Sequence, residues 1–310
     1  MSAFLYLPIA GASINLFLLV GLGGLVGFLS GLFGVGGGFL LTPLLIMIGI
    51  PPTVAAASDS NQIVAASSSG TYAHWRMGNV DFKMGIYLLV GGVAGGTLGV
   101  QLIKILRALG NADFVIKITY VVMLGVVGSY MFQESLRSLR GGRLKDIETK
   151  ASDQVSWFTR LNQSLPWRTQ FVKSGVTMSL LMPVGLGALV GILAAIMGVG
   201  GGFIMVPVMV YMLRMPMHVV VGTSLFQILF TCINVTFMQA YVNQTVDLML
   251  ALLLLIGSTL GAQLGARISK RLKADQLKIL LASIVLVVML KMLGELLMQP
   301  SILLSVKGGH

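Results

Sequence analysis

Charge is scarce in this chain. Only 10% of its 310 residues are Asp, Glu, Lys or Arg, where a water-soluble domain carries about a quarter. So few charges cannot cover a surface that faces water on every side, which excludes an ordinary soluble globule. No Lys or Arg occurs before Arg76, so the apolar start lacks the basic flank that a cleaved secretory signal needs. Cys232 is the single cysteine, which rules out an intrachain disulfide and any paired-cysteine metal or redox motif. There is no HExxH and no nucleophile elbow, and no Lys-Ser/Thr follows either run of three glycines, as a nucleotide phosphate loop would need. The few acids lie mostly between apolar runs. No enzyme, metal or cofactor is therefore expected.

What the chain does have is apolar sequence in long runs, with a mean hydropathy of +0.92. Ten runs stand out, at 14–35, 38–50, 53–73, 84–106, 114–132, 172–197, 203–213, 218–240, 246–266 and 276–298. Eight approach the roughly 20 residues a helix needs to cross a hydrocarbon core of about 30 Å, while 38–50 and 203–213 fall short. The expected fold is an all-α polytopic membrane protein with about ten transmembrane segments. The 39 glycines suit close packing of membrane helices. A net charge of +11 reads as a topology signal beside a lipid bilayer. It does not suggest nucleic acid, because no basic and aromatic interleaving accompanies it.

The chain is duplicated. Gly34-Val35-Gly36-Gly37-Gly38-Phe39 returns as Gly198-Val199-Gly200-Gly201-Gly202-Phe203, an offset of 164. Gly27 answers Gly191, Pro43 answers Pro207, Pro52 answers Pro216, and Ser60 answers Ser224. Further on the offset is 166: Val80-Asp81 matches Val246-Asp247, and Gly91, Gly95 and Gly99 match Gly257, Gly261 and Gly265. This ordered correspondence defines two five-segment units, 14–132 and 172–298, joined by a polar connector at 133–171. With ten crossings and the N-terminus outside, 16 of the 21 basic residues fall on the cytoplasmic side, as the positive-inside rule requires. Five crossings per unit turn the second upside down, so the repeat is inverted. The rival topology makes 38–50 and 203–213 re-entrant and places the cluster Arg267 to Lys278 outside.

Inverted repeats with Gly-broken helices point to a transport site at the repeat interface. Each GVGGG stretch ends one helix and starts a short one, whose free N–H groups and dipole attract an anion. Gly36, Gly37, Gly38, Gly200, Gly201 and Gly202 are therefore candidate substrate contacts; the plain alternative is a tight hairpin or close packing. The third and eighth segments carry polar groups that would be awkward against lipid. From them come Ser60, Gln62 and Ser67, then Thr223, Ser224, Gln227 and Asn234. The stripe Thr223, Gln227, Thr231 and Asn234 follows one helical face, and helix–helix hydrogen bonding is its alternative reading. Asp59 is the one acid well inside a segment, a candidate for proton or cation coupling or a structural acceptor. Asp81 and Asp247 immediately precede segments and read as helix starts. Arg214 and His218 flank a cytoplasmic turn where an anion would enter.

These residues resemble the TauE/SafE family of sulfite and organosulfur-anion exporters. The resemblance rests on the two GVGGGF stretches, the proline after each, Gly-Thr-Ser at 222–224 and Gly-Asn-Val-Asp at 78–81. It covers residues 14–298. It implies an all-helical permease for a small anion such as sulfite, sulfoacetate or another sulfonate, exported across a bacterial inner membrane. One departure stands out: Ser58-Asp59-Ser60 occupies the place of Gly222-Thr223-Ser224 in the second unit. Two other functions stay open at this stage, a cation- or proton-coupled importer and a membrane-embedded sensor or structural protein. Whether the protein is a homodimer is also open.

Overall fold

The computed structural model describes residues 4–33, 38–139, 165–209, 213, 215–269 and 274–298. Two short hairpins join β1 (Phe4–Leu7) to β2 (Ala12–Asn15) and β3 (Arg168–Phe171) to β4 (Val176–Ser179). The first unit contains helices α1 (Leu16–Phe33), α2 (Gly38–Met47), α3 (Pro52–Arg76), α4 (Phe82–Ala108) and α5 (Ala112–Leu139). The second contains α6 (Leu181–Met197), α7 (Gly202–Pro207), α8 (Met217–Met238), α9 (Leu248–Ser269) and α10 (Ala274–Met298). A π turn, Gln239–Asn243, extends α8.

The protein is a polytopic helical bundle. Among the described residues, four helices are long and apolar enough to cross a membrane: Phe82–Ala108, Ala112–Tyr130, Val219–Asn243 and Leu248–Gly265. Leu16–Leu29, Gly38–Met47 and Leu181–Met197 are apolar but shorter. α3 has the length, at 25 residues, but its serines, Asp59, Asn61 and Gln62 keep its hydropathy low.

The hairpins were not expected from the sequence. They pair Phe4 with Asn15 and Arg168 with Ser179, the same register displaced by 164. Gly11 and Gly175, also 164 apart, close the turns in the left-handed region at φ 62° and 67°. Within the stretch 133–171, α5 continues to Leu139 and β3 takes Arg168–Phe171.

Helix pairing follows the glycines. α1 lies along α9, and α4 along α6. Gly23 faces the backbone of Leu254 and Gly27 that of Ser258; Gly187 faces Leu88 and Gly191 faces Gly92. A Cβ on any of these four would stand 2.1 to 2.7 Å from a carbonyl oxygen, so only glycine permits the approach. The second set of contacts is the first, displaced by 164 on one helix and 166 on the other. Residue numbers rise together along both pairs, so each is parallel. α3 and α8 instead run antiparallel through the centre, with Gly70 against Leu225 and Gly222 against His74. α5 and α10 are antiparallel too, with Gly125 near Met289 and Gly128 near Val285.

Asp81 and Asp247 do start helices, and they also fasten the bundle. Asp81 caps α4 through Oδ1, which accepts from the Met84 N–H at 3.1 Å. Its Oδ2 accepts from Ser174 in the β3–β4 turn, from N–H at 3.1 Å and from Oγ at 2.5 Å. Its own N–H donates to Thr223 Oγ1 on α8 at 3.0 Å. Asp247 repeats the arrangement: Oδ1 accepts from Leu250 N–H, Oδ2 from Ile9 N–H in the β1–β2 turn, and its N–H donates to Ser58 Oγ on α3. Each aspartate thus ties a hairpin, a helix start and one of the two central helices together.

Candidate functional site

The centre of the bundle is where α2, α3, α5, α8 and the second glycine break meet. Pro51 and Pro52 stop the α2–α3 turn, and Pro52 takes the first position of α3, where its missing N–H costs nothing. Two turns further in, α3 presents Asp59, which is fully buried. Its Oδ2 accepts a hydrogen bond of 2.7 Å from Thr42 Oγ1 on α2. Its Oδ1 is buried with no hydrogen-bond partner. The carboxylate lies beside the first turn of α2, because a Cβ on Gly38 would come within 3.3 Å of Asp59 Oδ2 and 2.4 Å of Ile63 Cδ1. Tyr120 on α5 and Cys232 on α8 are titratable neighbours. Among the described residues, Thr42 is the hydrogen-bond partner of Asp59, and no cationic side chain bonds to it.

The second glycine break packs against this group. Gly198 ends α6 in the left-handed region at φ 73°, and Gly200 and Gly201 follow at 68° and 73°. Three such residues almost in succession turn the chain back on itself, a path closed to side chains with a Cβ. Residues 198–202 are all buried, so the break lies inside the protein. Ser60 Oγ donates to the carbonyls of Ala56 and Gly198, each at 3.2 Å, and Tyr120 OH donates to the carbonyl of Met197. Gly200 fits between Ile63, Ile228 and Cys232, while Phe39 of α2 stacks on Phe203 of α7 with centroids 5.5 Å apart. Those two rings are equivalents, 164 residues apart.

The other candidates divide between two places. Asp59, Ser60 and Gly38 converge with Gly198 to Gly202. Gln62 and Ser67 are buried further along α3, and Gln62 Oε1 has no partner. The α8 stripe faces α4 instead. Thr223 holds Asp81, and Gln227 Nε2 donates to Thr231 Oγ1 at 2.9 Å in the space left by Gly92. Asn234 Nδ2 donates to Val93 O and Thr97 Oγ1. Ser224 Oγ donates within its own helix to Val221 O at 3.1 Å. Gly36, Gly37 and Arg214 lie outside the described residues, as does the side chain of His218. Sequence reasoning passed over Thr42 and Tyr120, which a lone hydroxyl in an apolar run signals only weakly. It also missed the buried cluster of Gln239, Asn243 and Thr245 at the π turn, where Asn243 Nδ2 donates to Gln239 Oε1 at 2.6 Å.

The chain matches the family profile described as "Sulfite exporter TauE/SafE" over residues 19–292. It belongs to the TauE/SafE sulfite exporter family. Membership makes the protein a secondary transporter of a small anion, and the family is not one of catalysts. TauE/SafE relatives include "Probable membrane transporter protein YjnA" of Bacillus subtilis, 28% identical over 271 residues, covering 86% of this chain and 96% of the relative. A second Bacillus subtilis relative, "Probable membrane transporter protein YunE", is 25% identical, covering 67% of this chain and 72% of its own length. "Sulfite exporter TauE/SafE family protein 1" of Arabidopsis thaliana is 36% identical over 101 residues, 32% of this chain and 22% of the plant protein. No solved structure matches the chain.

Proposed function

We propose that the protein exports sulfite or a short organic sulfonate across a bacterial inner membrane, binding it where the two glycine breaks meet. The observation that carries this reading is the buried second break beside the start of α2. Gly198 to Gly202 turn inside the bundle beside Ser60, Tyr120 and the start of α2, with unsatisfied oxygens on Asp59 and Gln62 nearby. Broken helices with unpaired polar groups at membrane depth are tolerated where they serve a ligand path.

The same reading treats 14–132 and 172–298 as inverted units with ten membrane-embedded segments. In a direct repeat, equivalent helices would run the same way, whereas α3 and α8 run antiparallel, as do α5 and α10. α2, with 10 residues, rises about 15 Å, half of the hydrocarbon core. It and α7 are accordingly taken as half-spans that turn back at the glycines. Gly36 to Gly38, Gly200 to Gly202, Ser60, Gln62 and Ser67 line the proposed path, with Asp59 as its coupling group. Thr223, Ser224, Gln227 and Asn234 belong to the path only if α8 separates from α4 during the cycle.

The test is efflux from proteoliposomes loaded in turn with radiolabelled sulfite, sulfate and methanesulfonate. Saturable efflux of sulfite or the sulfonate, faster than from protein-free vesicles and competed by the unlabelled anion, is expected. Rates equal to protein-free vesicles for all three anions would refute the assignment.

A further inference from the structure

We infer that the Asp59 carboxylate and the transported anion exclude one another at the start of α2, so that each anion bound requires one proton taken up by Asp59. The inference rests on the anion-binding reading above and adds its linkage to protons. α2 has ten residues, long enough for its first turn to favour negative charge. Asp59 already occupies that turn: Oδ2 is held by Thr42 and lies beside Gly38, both on one face of α2. Oδ1 is buried and unpartnered, so the group has an oxygen free to carry a proton. Among the described residues no cationic side chain bonds to it. α2, α6 and α7 contain no Lys or Arg, and the basic residues of α3 are His74 and Arg76, fifteen and seventeen positions along. Among the described residues, titratable neighbours on other helices include Tyr120, whose proton is committed to Met197 O, and Cys232.

An anion arriving at the same helix start would stand beside an ionised Asp59. Two like charges about 6 Å apart at an effective dielectric of about 20 repel enough to weaken binding roughly a hundredfold. A proton delivered from water to Oδ1 removes the repulsion and leaves the Thr42 bond to Oδ2 in place. In the second unit Thr223 stands where Asp59 does in the first, so the linkage belongs to one unit only.

The experiment is calorimetric titration of the purified full-length protein with sulfite and, separately, with methanesulfonate. Each titration is run in two buffers of different ionisation enthalpy, which counts the protons taken up per anion. Comparing wild type with Asp59→Asn cancels the buffering of sulfite itself. At a pH high enough for Asp59 to be ionised in the free protein, where affinity falls with pH, wild type should take up close to one proton more per bound anion than Asp59→Asn. Its affinity should fall with rising pH, toward a hundredfold, while that of the variant stays flat. Thr42→Val, which removes the donor to the ionised carboxylate, should move the decline in affinity to higher pH and serves if Asp59→Asn fails to fold. Equal proton counts in wild type and Asp59→Asn, or an unmoved pH profile in Thr42→Val, with binding heat present, would overturn the linkage alone. Absence of binding heat for both anions in wild type would overturn the anion-binding reading, and the linkage with it.

Discussion

Alanine at Gly95 and Gly261 should cost equal stability, although the two residues lie in different helix pairs. Gly95 of α4 faces Ala188 of α6, and its Cβ would stand 2.0 Å from the Ala188 carbonyl oxygen. Gly261 of α9 faces Gly24 of α1, and its Cβ would also stand 2.0 Å from a carbonyl oxygen. Real Cβ contacts stop near 3.0 Å, so each helix pair must part by about 1 Å, against backbone that cannot rotate away. Overpacking of this kind costs about 1–3 kcal/mol, more than the ~0.5–1 kcal/mol that alanine gains over glycine in a helix. Gly21 and Gly185 provide the control. They are also 164 apart and also helical, and a Cβ at either meets nothing within 4 Å. Alanine there should be neutral or stabilising. Unfolding of the four purified variants in detergent, by heat and by denaturant, measures all of this in one series. Gly95→Ala and Gly261→Ala differing by more than ~1 kcal/mol, or Gly21→Ala losing as much as either, would refute the reciprocal packing.

Asp81→Ala removes acceptors for Met84 and Ser174, and Asp247→Ala removes acceptors for Leu250 and Ile9. Each should lose about 1–3 kcal/mol, Asp81 the more because it holds an extra hydroxyl; unfolding midpoints within error of wild type would show that the clips contribute nothing. Asn234→Leu breaks two bonds to α4 and should lower stability by ~1 kcal/mol while leaving the KM for sulfite unchanged. A tenfold rise in KM without a stability change would put Asn234 on the substrate path. For topology, Asn111→Cys should react with an impermeant maleimide on intact cells and Met77→Cys only after permeabilisation. Labelling of both from one side would reject the inverted ten-segment arrangement.

The duplication was legible because glycine at a helix crossing tolerates no substitute. Gly23, Gly27, Gly187 and Gly191 each meet a carbonyl oxygen, so the spacing that the packing requires is visible in the letters. The hairpins were not legible. Residues 4–15 are as apolar as the helix they precede, and 168–179 follow a polar stretch, so neither shows clean alternation. The available signal was Gly11 and Gly175 at the repeat offset. The partner of the α8 stripe was not legible for a different reason. Polar residues at helical spacing mark a face that avoids lipid, but they do not say what it meets. The double ladder in α4 carried that answer: Gly91, Gly95 and Gly99 receive α6, while Gly85, Gly92 and Gly96 receive α8. Asp59 was legible as an isolated buried acid, whereas its partner Thr42 could be found only from the path of α2 back along α3.

Under the proposed inversion, the symmetric parts and the asymmetric parts of this protein have different tasks. Hairpins, aspartate clips and glycine crossings recur in both units, and Phe39 meets its own equivalent, Phe203. Exchanging the two units' conformations would leave the energy of such a frame nearly unchanged, which suits alternation between two faces of a membrane. A frame that is symmetric throughout has no reason to treat the faces differently. Asp59 and Thr42 break the equivalence, since the matching positions hold Thr223 and Val206. The first carboxyl oxygen is tied to a half-helix of its own unit, and the junction beside it is built from the glycines of the other. A charge change at Asp59 therefore acts on the two conformations unequally, and unequal action is what a ligand or a proton needs in order to shift their populations. On this argument Asp59→Asn should leave the frame's stability nearly intact and alter instead how the two conformations respond to pH.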